Sequence, residues 1–508
     1  MREYGLEQLT GLFYGFSIAL TWQNLTYCLL GTLVGTLVGV LPGLGPAATV
    51  ALLLPITFKL PPVSAIIMLA GIFYGAMYGG STTSILLNIP GEAASVVTCI
   101  DGYQMALQGR AGPALAIAAI GSFIAGTIGI IGLNFLAPPL AEFAVQFGPP
   151  EYFALTLFGL FLAAYLASSS MVKGLMMVVL GLMLDEIGID PIMGVARFSY
   201  GVLPLQEGLD FVPLAMGLFG IAEILINTER AMKTQLVTKR IDRLFFTLRD
   251  WTEAKWATLR GSVLGFFVGI LPGGGAVIAS LISYAVEKRV SRNPEKFGKG
   301  AIEGVAGPEA ANNSAATGSF IPLLTLGIPG NATIAMIFAA LLIHGVQPGP
   351  YLIRENPEIF WGVIASMYIG NGFLLVLNLP LVGMWVQVLR VPYFILAPFI
   401  LLLCIVGVYS TRNNIFDIWV MIFFGGVGYF FRKLEFEPGP LILAFVLGAI
   451  SERTFRQSLL MSKGSPWIFF SRPISCALMV MLLALVALQV FFMVKRKTKS
   501  LDQFRGAG

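Results

Sequence analysis

Four glycines at a spacing of four, Gly31, Gly35, Gly39 and Gly43, recur as Gly261, Gly265, Gly269 and Gly273. Each series runs into a proline break, Leu41-Pro42-Gly43-Leu44-Gly45 in one case and Leu271-Pro272-Gly273-Gly274-Gly275 in the other. The spacing sets the glycines along one stripe of a helix, where a second backbone can approach closely. The Pro-Gly cluster then ends the helix inside an apolar run. A chain built this way contains one apolar unit twice, and paired, broken intramembrane helices point to a transporter's binding site.

Composition fits a membrane protein. Of 508 residues, 56% are hydrophobic and 12% charged, with a mean hydropathy of +0.83, against about 25% charged residues in a soluble domain. Apolar stretches near the ~20 residues needed to span a bilayer recur along the chain. The expectation is an all-α polytopic membrane protein with roughly ten to twelve transmembrane helices, re-entrant hairpins and broken helices. The N-terminus carries two acids and lacks a small-residue cleavage site, so it is expected to stay attached. Cys28, Cys99, Cys404 and Cys476 stand singly in apolar segments. That spacing suits small buried side chains, not a disulfide frame or zinc site.

The net charge of +5 is localised: residues 228–260 hold eight Lys/Arg against four acids, and Lys288, Arg289, Arg292, Lys296 and Lys299 follow. The positive-inside rule puts both regions in the cytoplasm; a nucleic-acid patch is the weaker reading. Residues 261–286, between them, could cross once, but one basic cluster would then face the wrong side. A re-entrant hairpin resolves the conflict. Two arms of about twelve residues reach roughly 18 Å into a ~30 Å hydrocarbon core and leave 272–275 near its midplane. The matching segment 31–58 has only Lys59 nearby, as expected if its ends face outward. One hairpin from each side means inverted repeats, although Arg453, Arg456, Lys463 and Arg472 complicate the later topology.

The duplication continues. Asn88-Ile89-Pro90-Gly91 answers Gly327-Ile328-Pro329-Gly330, and Pro139-Leu140 with Tyr152-Phe153 answers Pro380-Leu381 with Tyr393-Phe394, at offsets drifting from 230 to 241 residues. The expected organisation is a first repeat half at 1–227, a basic cytoplasmic connector at 228–260, a second half at 261–450 and a C-terminal helix and tail at 451–508.

Polar residues crowd where a lipid-facing helix would not tolerate them. The first half has Ser81, Thr82, Thr83 and Ser84 before Asn88; the second has Glu309, Asn312, Asn313, Ser314 and Thr317 before Asn331 and Thr333. Buried polar groups need partners, and irregular backbone at membrane depth survives only against protein or a water-filled cavity. A polar cavity lined by both halves follows, although each hydroxyl or amide taken singly could merely join helices. The expected substrate-binding set is Pro42, Gly43, Gly45, Ser81, Thr82, Thr83, Pro272, Gly273, Gly274, Gly275, Asn312, Asn313, Ser314 and Thr317. Asn88, Pro90, Gly91, Glu92, Glu309, Pro329, Gly330, Asn331 and Thr333 are expected to hold either a coupling cation or the substrate.

Neither 60–109 nor 302–353 contains a Lys or Arg. Free N–H groups and helix N-termini bind carboxylates, and unwound carbonyls bind Na+, so the site suits an anion accompanied by cations. A multiply charged carboxylate entering a cell that is negative inside meets about 2.3 kcal/mol per charge per 100 mV, which calls for co-transported Na+ or H+.

These signatures, together with Tyr78-Gly-Gly-Ser-Thr-Thr-Ser and Pro308-Glu-Ala-Ala-Asn-Asn-Ser, resemble the large permease subunit of the tripartite tricarboxylate transporters, the TctA family, over about 10–480. The resemblance implies a multi-pass permease of the bacterial inner membrane. It would work with a small TctB-like membrane subunit and a periplasmic TctC-like solute-binding protein that delivers citrate or another carboxylate, driven by a cation gradient. It implies no cofactor, with Na+ or H+ as the coupling ion, and is compatible with a homo-oligomer. The first tip ends Gly45-Pro46 and the second Gly275-Ala276, so the two need not share one role.

Other chemistries find less support. Gly43-Leu-Gly45-Pro-Ala-Ala48 matches a dinucleotide fingerprint but lacks the preceding strand and the later acid. His344 is the only histidine, so a Ser-His protease or His-based metal site has nothing to assemble. A sodium-pumping decarboxylase subunit would carry a catalytic Asp/Lys/Tyr set in the unwound regions, and an anion channel would need a continuous hydrophilic lumen. Glu92, Asp101, Glu223, Glu303 and Glu309 could hold protons or Na+, or simply face helix dipoles.

Overall fold

The computed structural model describes residues 2–41, 45–167, 170–190, 192–231, 245–388 and 393–505. They are almost wholly helical; a two-stranded antiparallel ribbon, Gly188–Ile189 with Ala196–Arg197, is the sheet among them. Several helices start on proline, Pro46–Thr57, Pro62–Leu87, Pro149–Ala167 and Pro357–Asn378, where the missing N–H costs nothing. Eight helices among the described residues are long and apolar enough to cross a membrane, and Pro46–Thr57, Ala332–Ile343 and Pro473–Gln489 are shorter apolar helices.

The ladders are seams between backbones. Gly31, Gly35 and Gly39 of helix Trp22–Val40 lie against the carbonyls of Met68, Ile72 and Ala76 on helix Pro62–Leu87. Gly261, Gly265 and Gly269 of helix Leu248–Ile270 lie against those of Gly307, Ala311 and Ala315 on helix Glu303–Gly318. At all six a Cβ would run into the facing carbonyl, so the spacing of four exists to admit a parallel neighbour at backbone distance.

Charge fixes the two ends of the bundle. At one end Asp101 accepts the N–H groups of Gly298 (2.9 Å), Gly300 (2.8 Å) and Ala301 (2.8 Å), and Arg110 pairs with Asp250 at 2.5 Å. These contacts gather the basic segments and mark the cytoplasmic end. At the other end Arg472 meets Glu151 (2.6 Å), Arg412 meets Asp210 (2.8 Å), and Arg197 and Arg456 converge on Asp190. Helix Glu303–Gly318 starts at the cytoplasmic end. Helix Pro62–Leu87 starts at the outer end, where Val63 touches Gly362 near the start of Pro357–Asn378. Equivalent helices therefore run in opposite directions, and the repeats are inverted.

The halves also exchange contacts. Helix Ala111–Ala144 of the first packs on Leu248–Ile270 and Glu303–Gly318 of the second, and Pro357–Asn378 packs in return on Trp22–Val40 and Pro62–Leu87. Met171–Asp185 lies on Gly439–Met461, while Ile415–Lys433 lies on Met216–Ile221.

The hairpins are lopsided. Arms of about twelve residues are expected; the return arms, Pro46–Thr57 and Gly275–Val290, have 12 and 16, but the entering arms have 19 and 23. The second entering arm begins inside the expected connector, because Thr247 and Asp250 form a capping box that starts the helix at Leu248. The C-terminal helix continues from Pro473 to Arg505.

Candidate functional site

The second tip closes onto the Ile-Pro-Gly break of its own repeat. There the N–H of Gly273 donates to the carbonyl of Gly330 at 2.7 Å, so Pro272 is held against Gly330, while Gly274 lies against the carbonyls of Val268 and Leu271. Gly273 and Gly275 take φ of +78° and +51°, the left-handed region that glycine enters without strain. In the first repeat a Cβ on Gly91 would strike the carbonyl of Gly39 and lie 2.7 Å from Gly80 Cα; Pro90-Gly91 thus seats on the end of the ladder. Pro42 and Gly43 lie outside the described residues. Gly45 caps the return arm at φ −71°, so a left-handed conformation at that glycine is not adopted.

Between the repeats lies a polar cluster centred on Glu309, which is fully buried. Ser81 Oγ donates to its Oε2 at 2.5 Å, Thr98 Oγ1 donates to Oε1, and Asn312 Nδ2 donates to Oε2 at 3.2 Å. The Asn313 amide donates to Ser122 Oγ at 2.8 Å and Asn312 Oδ1 at 2.6 Å, while its own Oδ1 is buried without a partner. Thr82 lines a cavity of about 10 Å3 with Tyr78, Ser81, Ser122 and Asn378. Ser84 Oγ donates to Ser95 Oγ at 2.9 Å.

Other expected residues hold the frame. Thr83 donates to the Val40 carbonyl at 2.5 Å, Ser314 to that of Ser262 at 2.7 Å and Thr317 to that of Asn313 at 3.2 Å; these three bind backbone. Glu92 and Asn331 each follow the glycine of a break and cap the next helical turn. Asn331 accepts from Ile334 N at 3.0 Å and Glu92 Oε2 from Ala94 N at 2.7 Å, but Glu92 Oε1 is buried without a partner. Thr333 is buried in the first turn after Asn331. Asn88 is exposed, ends helix Pro62–Leu87 at φ 58°, and corresponds to Gly327 at φ 67°. Its place is explained by backbone conformation, since Asn tolerates the left-handed region.

The polar clusters are not equivalent positions either. Ala76 opposes Gly39 as Ala315 opposes Gly269; in that register Ser81 corresponds to Phe320 and Glu309 to Ala70. Hydroxyls from one repeat and a carboxylate from the other meet face to face.

Sequence reasoning missed Thr98 and Ser122, and also Tyr78, whose hydroxyl donates to Asn371 Oδ1 at 2.5 Å across the repeats. It also missed a cavity of about 310 Å3 on the outer face, lined by Tyr152, Gly327, Ile328, Gln347, Tyr351, Glu355, Arg453 and Thr454 among others. Arg453 has no ion pair among the described residues, whereas Arg197, Arg412, Arg456 and Arg472 each meet a carboxylate. A signal was present in Arg453, one of the basic residues that topology alone did not explain.

Comparison with known proteins gives concordant results. A protein of Agrobacterium vitis described as an uncharacterized 52.8 kDa protein in the TAR-I ttuC' 3' region is 48% identical over 492 residues, covering 97% of this chain and 98% of its own. A second, described as an uncharacterized protein in the TAR-II ttuC' 3' region of the same organism, is 48% identical over 233 residues, 46% of this chain and 96% of its own. No solved structure matches. The model of the tripartite tricarboxylate transporter TctA family matches residues 25–443. The chain is therefore a multi-pass inner-membrane component of a tripartite transport system, and it belongs to the TctA family.

Proposed function

We propose that the protein carries a citrate-like tricarboxylate or a related carboxylate into the cell by secondary active transport, coupled to Na+ or H+. It does so as the large permease subunit, beside a small membrane subunit and a periplasmic solute-binding protein that delivers the substrate. The observation that carries this reading is the outer cavity of about 310 Å3, which ends on the second Ile-Pro-Gly break at Gly327-Ile328 and presents Arg453, Gln347, Tyr152 and Tyr351. Its volume suits a small polycarboxylate. Guanidinium, amide and phenol donors are the chemistry such an anion needs.

Beyond the cavity the tips, breaks and polar cluster form the substrate and cation site. The gap at Ser81, Thr82 and Ser122, about 10 Å3, is no larger than a single water requires. That closure favours a gated carrier over an open channel. No Lys lies in 60–109 or 302–353 to complete a decarboxylase-like set, which favours transport over catalysis.

The test is counterflow in proteoliposomes holding the tripartite complex and unlabelled citrate, malate or succinate. Accelerated entry of labelled substrate supports a carrier. Linear, non-saturable flux indicates a channel, and absence of flux with all three removes the reading.

A further inference from the structure

We propose that Glu309 binds the coupling proton, and that the protonated side chain fastens the two repeats together. The inference rests on the transporter reading and names its coupling ion.

Glu309 is fully buried and Glu92 is 5% exposed. Among the described residues no Lys or Arg lies within ion-pair distance of either, and their segments contain none. A carboxylate at membrane depth without a cation costs more than its hydrogen bonds return, so a proton or a metal ion must neutralise it.

The hydroxyl shell suits a proton. Both oxygens of Glu309 already touch a hydroxyl, Ser81 at 2.5 Å on one and Thr98 on the other. Each of these contacts is a hydroxyl hydrogen donated to the carboxyl group. Ser and Thr hydroxyls donate to a carboxylate and accept from a carboxylic acid, so the shell serves both states.

A second observation points to the same ligand. Glu92 Oε1, buried and without a hydrogen-bond partner, belongs to a carboxylate that interacts electrostatically with Glu309. Two carboxyl groups sharing one dry space without a cation are both relieved by a single proton. Other titratable groups on helices packed against Glu303–Gly318 are engaged elsewhere or neutral at physiological pH. Asp101 takes three backbone N–H groups and Tyr284, and Glu287 holds Arg260; Tyr78 bonds Asn371, and Cys99 is a thiol.

The bonds also tie ionisation to conformation. Ser81 and Thr98 belong to the first repeat, Glu309 and Asn312 to the second. With the carboxyl protonated the interface can close. Once the proton leaves to the cytoplasm the charge demands water, which enters only if the repeats part. One proton taken from the outer side and released inside then accompanies each closure.

Reconstituted tripartite complex tests this. Wild type is expected to accumulate labelled carboxylate under an inward pH gradient in sodium-free buffer. Glu309→Gln, fixed in the neutral state, is expected to lose the pH dependence of uptake and to accumulate roughly tenfold less or lower still, within the usual range of coupling free energies. Accumulation by wild type driven by a Na+ gradient alone, or proton-driven accumulation surviving in Glu309→Gln, overturns the proposal while leaving the carrier intact. Absence of wild-type counterflow removes both. Should Glu309→Gln not fold, the wild-type comparison of gradients still decides. The double variant Ser81→Ala/Thr98→Val adds a second readout: a displaced pH midpoint of uptake is expected, and an unmoved midpoint with lower yield alone marks the hydroxyls as structural and overturns their share in the site.

Discussion

The N–H of Gly273 donates to the carbonyl of Gly330 at 2.7 Å, joining the tip of a hairpin to the break in a neighbouring helix. At this point a Cβ would lie 2.5 Å from Ala163 Cα, and the φ of +78° is one that side chains resist. Gly273→Ala is therefore expected to lose about 2–4 kcal/mol from strain and overpacking together, with a lower thermal midpoint and slowed exchange. Gly275→Ala meets nothing within 4 Å and should lose only about 1–2 kcal/mol. Gly265→Ala, aimed at the Ala311 carbonyl, should reduce yield more than either. Equal thermal midpoints for all three would contradict the geometry.

Asn88 supplies a sharper check, because its counterpart is a glycine. Asn88→Gly is expected to transport normally and keep its thermal midpoint, while Asn88→Val, forced into φ 58°, should lose about 1–2 kcal/mol. Loss of transport in a well-folded Asn88→Gly protein would return the amide to the binding site.

Arg453 should behave unlike its neighbours. With no ion pair among the described residues, Arg453→Gln is expected to raise the apparent KM for the carboxylate by roughly tenfold or more, one charge-assisted hydrogen bond contributing about 1.5–3 kcal/mol, and to leave the thermal midpoint in place. Uptake assays with saturating binding protein check this; an unchanged KM excludes the arginine from the substrate's path.

Asp190, on the outer face, makes stability depend on pH. Its burial works to raise the carboxyl pKa, but N–H groups of Ile192 and Met193 with the guanidinium groups of Arg197 and Arg456 outweigh that and hold it well below the usual range. The folded value lies below the unfolded one of about 3.9. This stability is complete above the unfolded value and is lost as pH falls toward the folded one. Thermal midpoints measured from pH 7 downward should fall below about pH 4 in wild type and less steeply in Arg456→Gln. Parallel curves would show that the arginine does not hold the carboxylate.

Much of the architecture could be read from residue order, because a Cβ-free stripe and a proline break leave few alternatives. The ladders, the breaks and the inverted sense of the halves belong to that part. Pairing across space was harder to read. Ser81-Thr82-Thr83 and Asn312-Asn313-Ser314 look like counterparts because each precedes an Ile-Pro-Gly, yet depth along the helix decides equivalence, and Ser81 matches Phe320. Thr98 escaped notice for the same reason: a single threonine in its helix, it acquires meaning only from Glu309 arriving out of the other half. Asn88 sits beside a break, where an amide reads as a ligand, and its backbone angle gives a second reason for its place there.

The glycine seams carry a mechanical consequence. Backbones that meet with no side chain between them cannot slide past one another, since a slip of one residue would drive Thr32 or Thr36, or Ser262 or Phe266, into the facing carbonyls. Each ladder helix and its partner must travel as a rigid body. Whatever motion exposes the interior to one side and then the other has to be accommodated at hinges outside the seams, with the meeting of Ser81, Thr98 and Glu309 as the surface along which the two bodies separate.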